Sequence, residues 1–130
     1  MTENPFGDTE PQGEKRNYLV LISASKENAA LAQKYLKNIQ ALIDKSAAPL
    51  WIDSKGVGVF VSTELVAFEI WKAVFDGVTH EEGTAAKDIL IVELGADWAA
   101  RRDAKTEHWL STHVGTPRIP PYNRQRRKRN

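Results

Sequence analysis

LWIDSKGVGVFVSTELVAFEIWKAVF, residues 50–75, is the stretch that decides how this chain folds. Pro49, just before it, has no N–H for a ladder and disfavours helical geometry at Ala48, so a new element starts there. Leu50, Trp51 and Ile52 suit a strand. Asp53-Ser54-Lys55-Gly56 supplies turn chemistry, with Gly56 free to take positive φ. From Val57 the chain alternates: Val57, Val59 and Val61 point one way, and Gly58, Phe60 and Ser62 the other. Ser62 or Thr63 can cap a following helix, and Glu64 suits its positive end. Leu65, Val66, Phe68, Ile70, Trp71, Val74 and Phe75 then recur at helical spacing, with Glu69 and Lys72 as the solvent markers and Gly77 as the stop. The reading is a β-hairpin feeding a helix that should be the most buried of the chain, with Trp71 in the core.

Outward from that stretch, Tyr18-Leu19-Val20-Leu21-Ile22-Ser23 is apolar on both faces and suits a central strand. Ser25 is placed to cap a helix over 26–45, whose stripe is Ala29, Ala32, Tyr35, Leu36, Ile39, Leu42 and Ile43. Residues 77–87 form a polar loop, and Ile89-Leu90-Ile91-Val92-Glu93-Leu94 is another buried strand. The order β-α-β-β-α-β predicts an α+β fold, a ferredoxin-like sandwich of four antiparallel strands with both helices on one face. An extra C-terminal helix, capped by Asp97 or Asp103 and ending at Gly115, closes the domain. The domain runs over 17–115, between a disordered acidic segment at 1–16 and a basic Pro/Arg-rich tail at 116–130.

The facing of the hairpin matters for function. If Phe60, with Leu50 and Ile52, meets the helices, then Val57, Val59 and Val61 form an apolar patch too large to leave in water. Trp109 and Leu110 of the last helix then cover it, or a partner or second copy does. Val57, Val59, Val61, Trp109 and Leu110 are therefore the candidate partner or dimer face, and a homodimer is one expected outcome.

The 130-residue chain has 42% apolar residues, no cysteine and a net charge of +1. That suits one core without disulfides or a thiolate site, and a reducing, cytoplasmic setting. No run approaches the roughly 18 apolar residues of a membrane helix, and the polar, acidic start is unlike a leader sequence. The small net charge hides opposite ends: residues 1–14 sum to −4 and residues 115–130 to +6. Arg118, Arg124, Arg126, Arg127, Lys128 and Arg129, with no acid among them, are the candidate nucleic-acid-binding residues. Such arms neutralise phosphates and release counterions.

Other constellations are weaker. His108 and His113 lie five apart, where a shared ion needs three or four, so no metal or cofactor is expected. Ser23, Ser25 and Asp53 lack a nucleophile elbow, and Asp53 is explained as a turn residue. Lys55-Gly56-Val57-Gly58-Val59-Phe60-Val61-Ser62 resembles the RNP1 segment of RNA-recognition-motif domains at Lys55, Gly56 and Gly58. The three aromatic slots, which would stack bases, hold Val57, Val59 and Ser62. These observations point to a small non-enzymatic accessory protein that binds nucleic acid through its basic arm and a partner or itself through its body. The alternative is a protein-binding module of inhibitor, antitoxin or immunity type, with no nucleic-acid role. A cofactor-free enzyme comes third.

Overall fold

The computed structural model describes residues 14–84 and 88–120. The expectations for residues 1–13 and 121–130, which include most of both charged ends, lie outside the described residues. Two compact units divide the chain, Met1–Glu93 and Leu94–Asn130. In the first, β1 (Arg16–Ser23) leads through a 3-10 turn (Lys26–Asn28) into α1 (Ala29–Asn38) and a π-helical end (Ile39–Ile43). β2 (Ala48–Asp53), β3 (Gly56–Thr63), α2 (Ala67–Val74), the short α3 (His80–Thr84) and β4 (Ile89–Glu93) follow. The class is α+β, with a four-stranded sheet in the order β2-β3-β1-β4 whose every pairing is antiparallel. β1 and β3 hold the centre, as the apolar character of Tyr18–Ser23 demands.

The hairpin forms where expected, with Trp51 opposite Gly58 and Asp53 opposite Gly56. The Asp53 carboxylate accepts the N–H groups of Lys55 (2.7 Å) and Gly56 (3.0 Å), which closes the turn. Glycine at 56 answers crowding and not positive φ: a Cβ there would sit 2.7 Å from the Ile22 carbonyl oxygen. The first helical segment spans nearly the expected range. Asn28 secures its entry, its Oδ1 accepting the Ser25 N–H (2.6 Å) and its Nδ2 donating to the Ser23 carbonyl (3.2 Å). At the exit Asp44 N–H donates to the Ile39 carbonyl (2.9 Å). The Asp44 carboxylate then accepts the Ser62 N–H of β3 (2.8 Å), so the helix end is tied to the sheet.

The facing of β3 is the reverse of the expectation. Val59 and Val61 are wholly buried and cluster with Tyr18, Val20 and Ile22 of β1 and with Tyr35, Ile39, Ile70 and Val74 of the helical segments, Val57 packing at the margin. The pairs Tyr18–Val61, Val20–Val59 and Ile22–Val57 put both strands' residues on the helix side. Alternation defines two sets of residues but not which set the helices cover; here two tyrosines supply the bulk that Phe60 was expected to supply. Val57, Val59 and Val61 are thus on the core side and form no open patch.

Two further expectations are corrected. In α2 only Ile70 and Val74 are buried, while Phe68 (68% exposed) and Trp71 (42%) face outward. A two-turn helix on a four-stranded sheet buries one stripe, and the surplus aromatics shield each other: Trp71 packs on Phe75 at 4.9 Å, and Lys72 sits over Phe68 at 5.6 Å. The stretch 77–87 is not all loop. Thr79 and Glu82 cap α3 reciprocally, Thr79 N–H to the Glu82 carboxylate (3.0 Å) and Glu82 N–H to the Thr79 hydroxyl (3.1 Å). That Thr-x-x-Glu pattern was readable. These bonds, with the Lys34 ammonium at 3.0 Å, hold the Glu82 carboxyl below its ordinary range.

The Tyr35 ring packs edge-on against Phe75 at 5.3 Å, but its buried hydroxyl has no hydrogen-bond partner among the described residues. Burial, then the Glu82 charge, raises its pKa, so the group stays a neutral, unpaired O–H. Such a group costs about 1–3 kcal/mol. Tyr35→Phe is therefore expected to stabilise the fold by about 1 kcal/mol, read as a higher midpoint in urea with an unchanged slope.

In the second unit α4 (Lys105–His113) is shorter than the expected helix. Neither aspartate caps it: Ala104 holds that place, and Asp103 stands at φ 66°, its N–H donating to Glu107 (2.7 Å). Trp98 Nε1 donates to the Gly115 carbonyl (3.0 Å), and the Arg118 N–H to the Ala96 carbonyl (3.1 Å). These bonds strap the segment before α4 to the segment after it. Trp109 and Leu110 are buried, and the Trp109 ring stacks on His113 at 4.0 Å.

Candidate functional site

Pairing across β1 decides what the sheet shows on the side away from α1 and α2. Leu19 stands opposite Phe60 and Val92, and Leu21 opposite Gly58 and Leu90; directly opposed residues share a face. Trp51 joins them through Gly58. A Cβ at 58 would lie 3.0 Å from that of Trp51 and 3.3–3.4 Å from the tips of Leu19 and Leu21. The absent side chain at 58 is therefore what lets the three apolar residues converge. Trp51 is 59% exposed and Leu90 51%, with Leu21 and Val92 less so. Phe60 on the same face is buried.

At the turn end of this face lies a depression of about 400 Å³. Leu21, Trp51 and Leu90 form its apolar wall, with Ser23, Asp53, Lys55 and Asp88 as its polar rim. A volume of that order is in the range of small-ligand sites, but the rim does not assemble a reaction centre. Asp53 is occupied by the hairpin turn. Ser25, named with Ser23 in the sequence, donates to Glu27 at 2.7 Å and does not line the depression. Among the described residues, Tyr18 and Tyr35 have their titration raised chiefly by burial, and Glu82 has its lowered by its capping bonds. None of them lines the depression.

The chain matches no family model, no curated protein and no solved structure.

Arg118 is exposed, while Arg124, Arg126, Arg127, Lys128 and Arg129 fall outside the described residues. Among the described residues no three His, Asp or Glu side chains gather to hold a metal, and no helix is long and apolar enough to cross a membrane. Of the RNP1-like segment, Lys55 is at the turn, and Val57 and Val59 are on the helix side, where a base cannot stack. The exposed aromatic of the sheet is Trp51, on the neighbouring strand.

Proposed function

We propose that this chain is a small, non-enzymatic accessory protein built on a ferredoxin-like sandwich. Its body associates through the sheet face away from the helices, and its basic C-terminal segment engages nucleic-acid phosphates. The strand order supports the sandwich: β1 and β2 run parallel with β3 between them, and β3 and β4 run parallel with β1 between them, as two interleaved βαβ units require. The observation that carries the binding role is the exposed Trp51 among Leu21 and Leu90. An exposed aromatic on the sheet, beside a lysine at 55 and in one chain with a six-cation segment, combines a stacking surface with an electrostatic anchor.

The test is fluorescence anisotropy of a labelled single-stranded oligonucleotide. Base stacking contributes roughly 1–3 kcal/mol per base, so Trp51→Ala is expected to weaken binding about 5- to 150-fold. The second reading, a protein-binding module, draws on the aspartates at 53 and 88, which flank an otherwise apolar wall and suit a polypeptide better than a phosphate chain. Under it, Trp51→Ala leaves oligonucleotide affinity unchanged.

A further inference from the structure

The two edges of the sheet differ. β2 carries Pro49, which has no N–H, and an irregular register between Ala48 and Trp51; both features blunt an edge. β4, Ile-Leu-Ile-Val-Glu, has neither. Its register identifies the backbone groups left over. The Ser23 N–H donates to the Asp88 carbonyl at 2.9 Å, so those two form a hydrogen-bonded pair. By alternation Leu21–Leu90 and Leu19–Val92 are hydrogen-bonded pairs as well. The N–H and C=O groups of Ile89, Ile91 and Glu93 therefore point away from β1, and no described residue bonds to them.

We infer that β4 is a pairing edge for a second copy of this chain, antiparallel about a two-fold axis through Ile91. This inference goes beyond the sheet face proposed above and stands independently of it and of the basic segment. Self-complementarity selects the occupant and the register. With Ile91 opposite Ile91 of the second copy, every outward N–H and C=O finds a partner. Leu90 then meets Val92, and Ile89 meets Glu93, so no carboxylate faces another. Moving the axis to Glu93 sets two carboxylates against each other, which is destabilising. Moving it to Ile89 sets Asp88 against Leu90 and leaves Glu93 unpaired. An axis through Leu90 or Val92 keeps the outward groups facing but leaves an end residue of the strand without a strand partner, and an axis between two residues sets outward groups against inward ones. The apolar rows Leu21–Leu90–Val92 of two copies then become one surface across eight strands.

Sedimentation velocity on the full chain tests this, with Ile91→Pro and Trp51→Glu as variants. Proline at 91 deletes an N–H that points outward and leaves the bonds to β1 in place. A dimer for the parent and for Trp51→Glu, with a folded monomer for Ile91→Pro, is the expected pattern. A parent that stays monomeric at about 100 µM overturns the edge and leaves the body free to bind a different partner. A dimer lost with Trp51→Glu and kept with Ile91→Pro overturns it in favour of face-to-face packing. Should Ile91→Pro not fold, amide exchange on the parent decides. Ile89, Ile91 and Glu93 amides should be protected at high concentration and exchange freely on dilution; exchange that is fast at every concentration overturns the pairing.

Discussion

Val59→Lys will leave no folded domain to assay. Val59 is wholly buried in the cluster that joins β1, β3 and the helical segments, and Tyr35, Ile39 and Ile70 surround it with apolar surface. A lysine there loses valine's packing and carries an ammonium with no partner. An unpaired buried charge costs several kcal/mol, against a total stability of about 5–15 kcal/mol for an ordinary domain. Trp51→Lys is the matched control. It changes the hairpin's other face, where the side chain is mostly in water, and exposed substitutions stay within about 0.5 kcal/mol. Circular dichroism melts of the pair read the facing of the sheet directly. Were Val59→Lys to melt like its parent while Trp51→Lys unfolds, the facing described above would be inverted.

Removing residues 121–130 should abolish nucleic-acid binding and leave the melting point of the body nearly unchanged. The cut belongs after Pro120, because Gly115 and Arg118 hold Trp98 and Ala96 in place and a shorter chain would confound binding with unfolding. The deleted block carries Arg124, Arg126, Arg127, Lys128 and Arg129 and no acid. If four or five of them meet phosphates, log K against log salt should slope by about −0.7 per contact for a single strand, or about −3 in all. Arginine forks phosphate where lysine offers a point charge, so an all-lysine block should recover part of the affinity. Full-length and truncated chains that bind equally, or neither binding at low salt, would remove the nucleic-acid role and put the protein-binding module ahead.

Local chemistry was legible where a residue type admits one geometry. Pro49, the Asp53–Gly56 turn, the central strand at 18–23 and the helix from Ser25 all stand close to where the residues placed them. Facing was not. Val57, Val59 and Val61 against Gly58, Phe60 and Ser62 is a symmetric choice until one knows which other element's bulk fills the core, and that information sits 41 and 24 residues before Val59, in Tyr18 and Tyr35. Apolar character on both faces of β4 likewise suggested a buried strand, whereas Leu90 is exposed and the strand lies at an edge. Trp71 misled for a related reason: helical spacing counted seven apolar residues, but the sheet had room for two of them. As for the site, the basic arm is a feature of composition and could be found by counting. The Trp51 wall depends on a glycine two strand positions past the turn, and only pairing brings the two together.

The contrast between the two sheet edges sets how large any assembly of this chain can become. A strand that recruits its like is dangerous when both margins of a sheet can do so, since each addition exposes a fresh margin and growth runs on to a fibre. Here Pro49 and the register break cap one margin, so under the β4 pairing we infer, the molecule would act as a monofunctional monomer does in polymer chemistry, coupling once and then terminating. Restoring a regular, proline-free β2 would convert a self-limiting pair into an open-ended one.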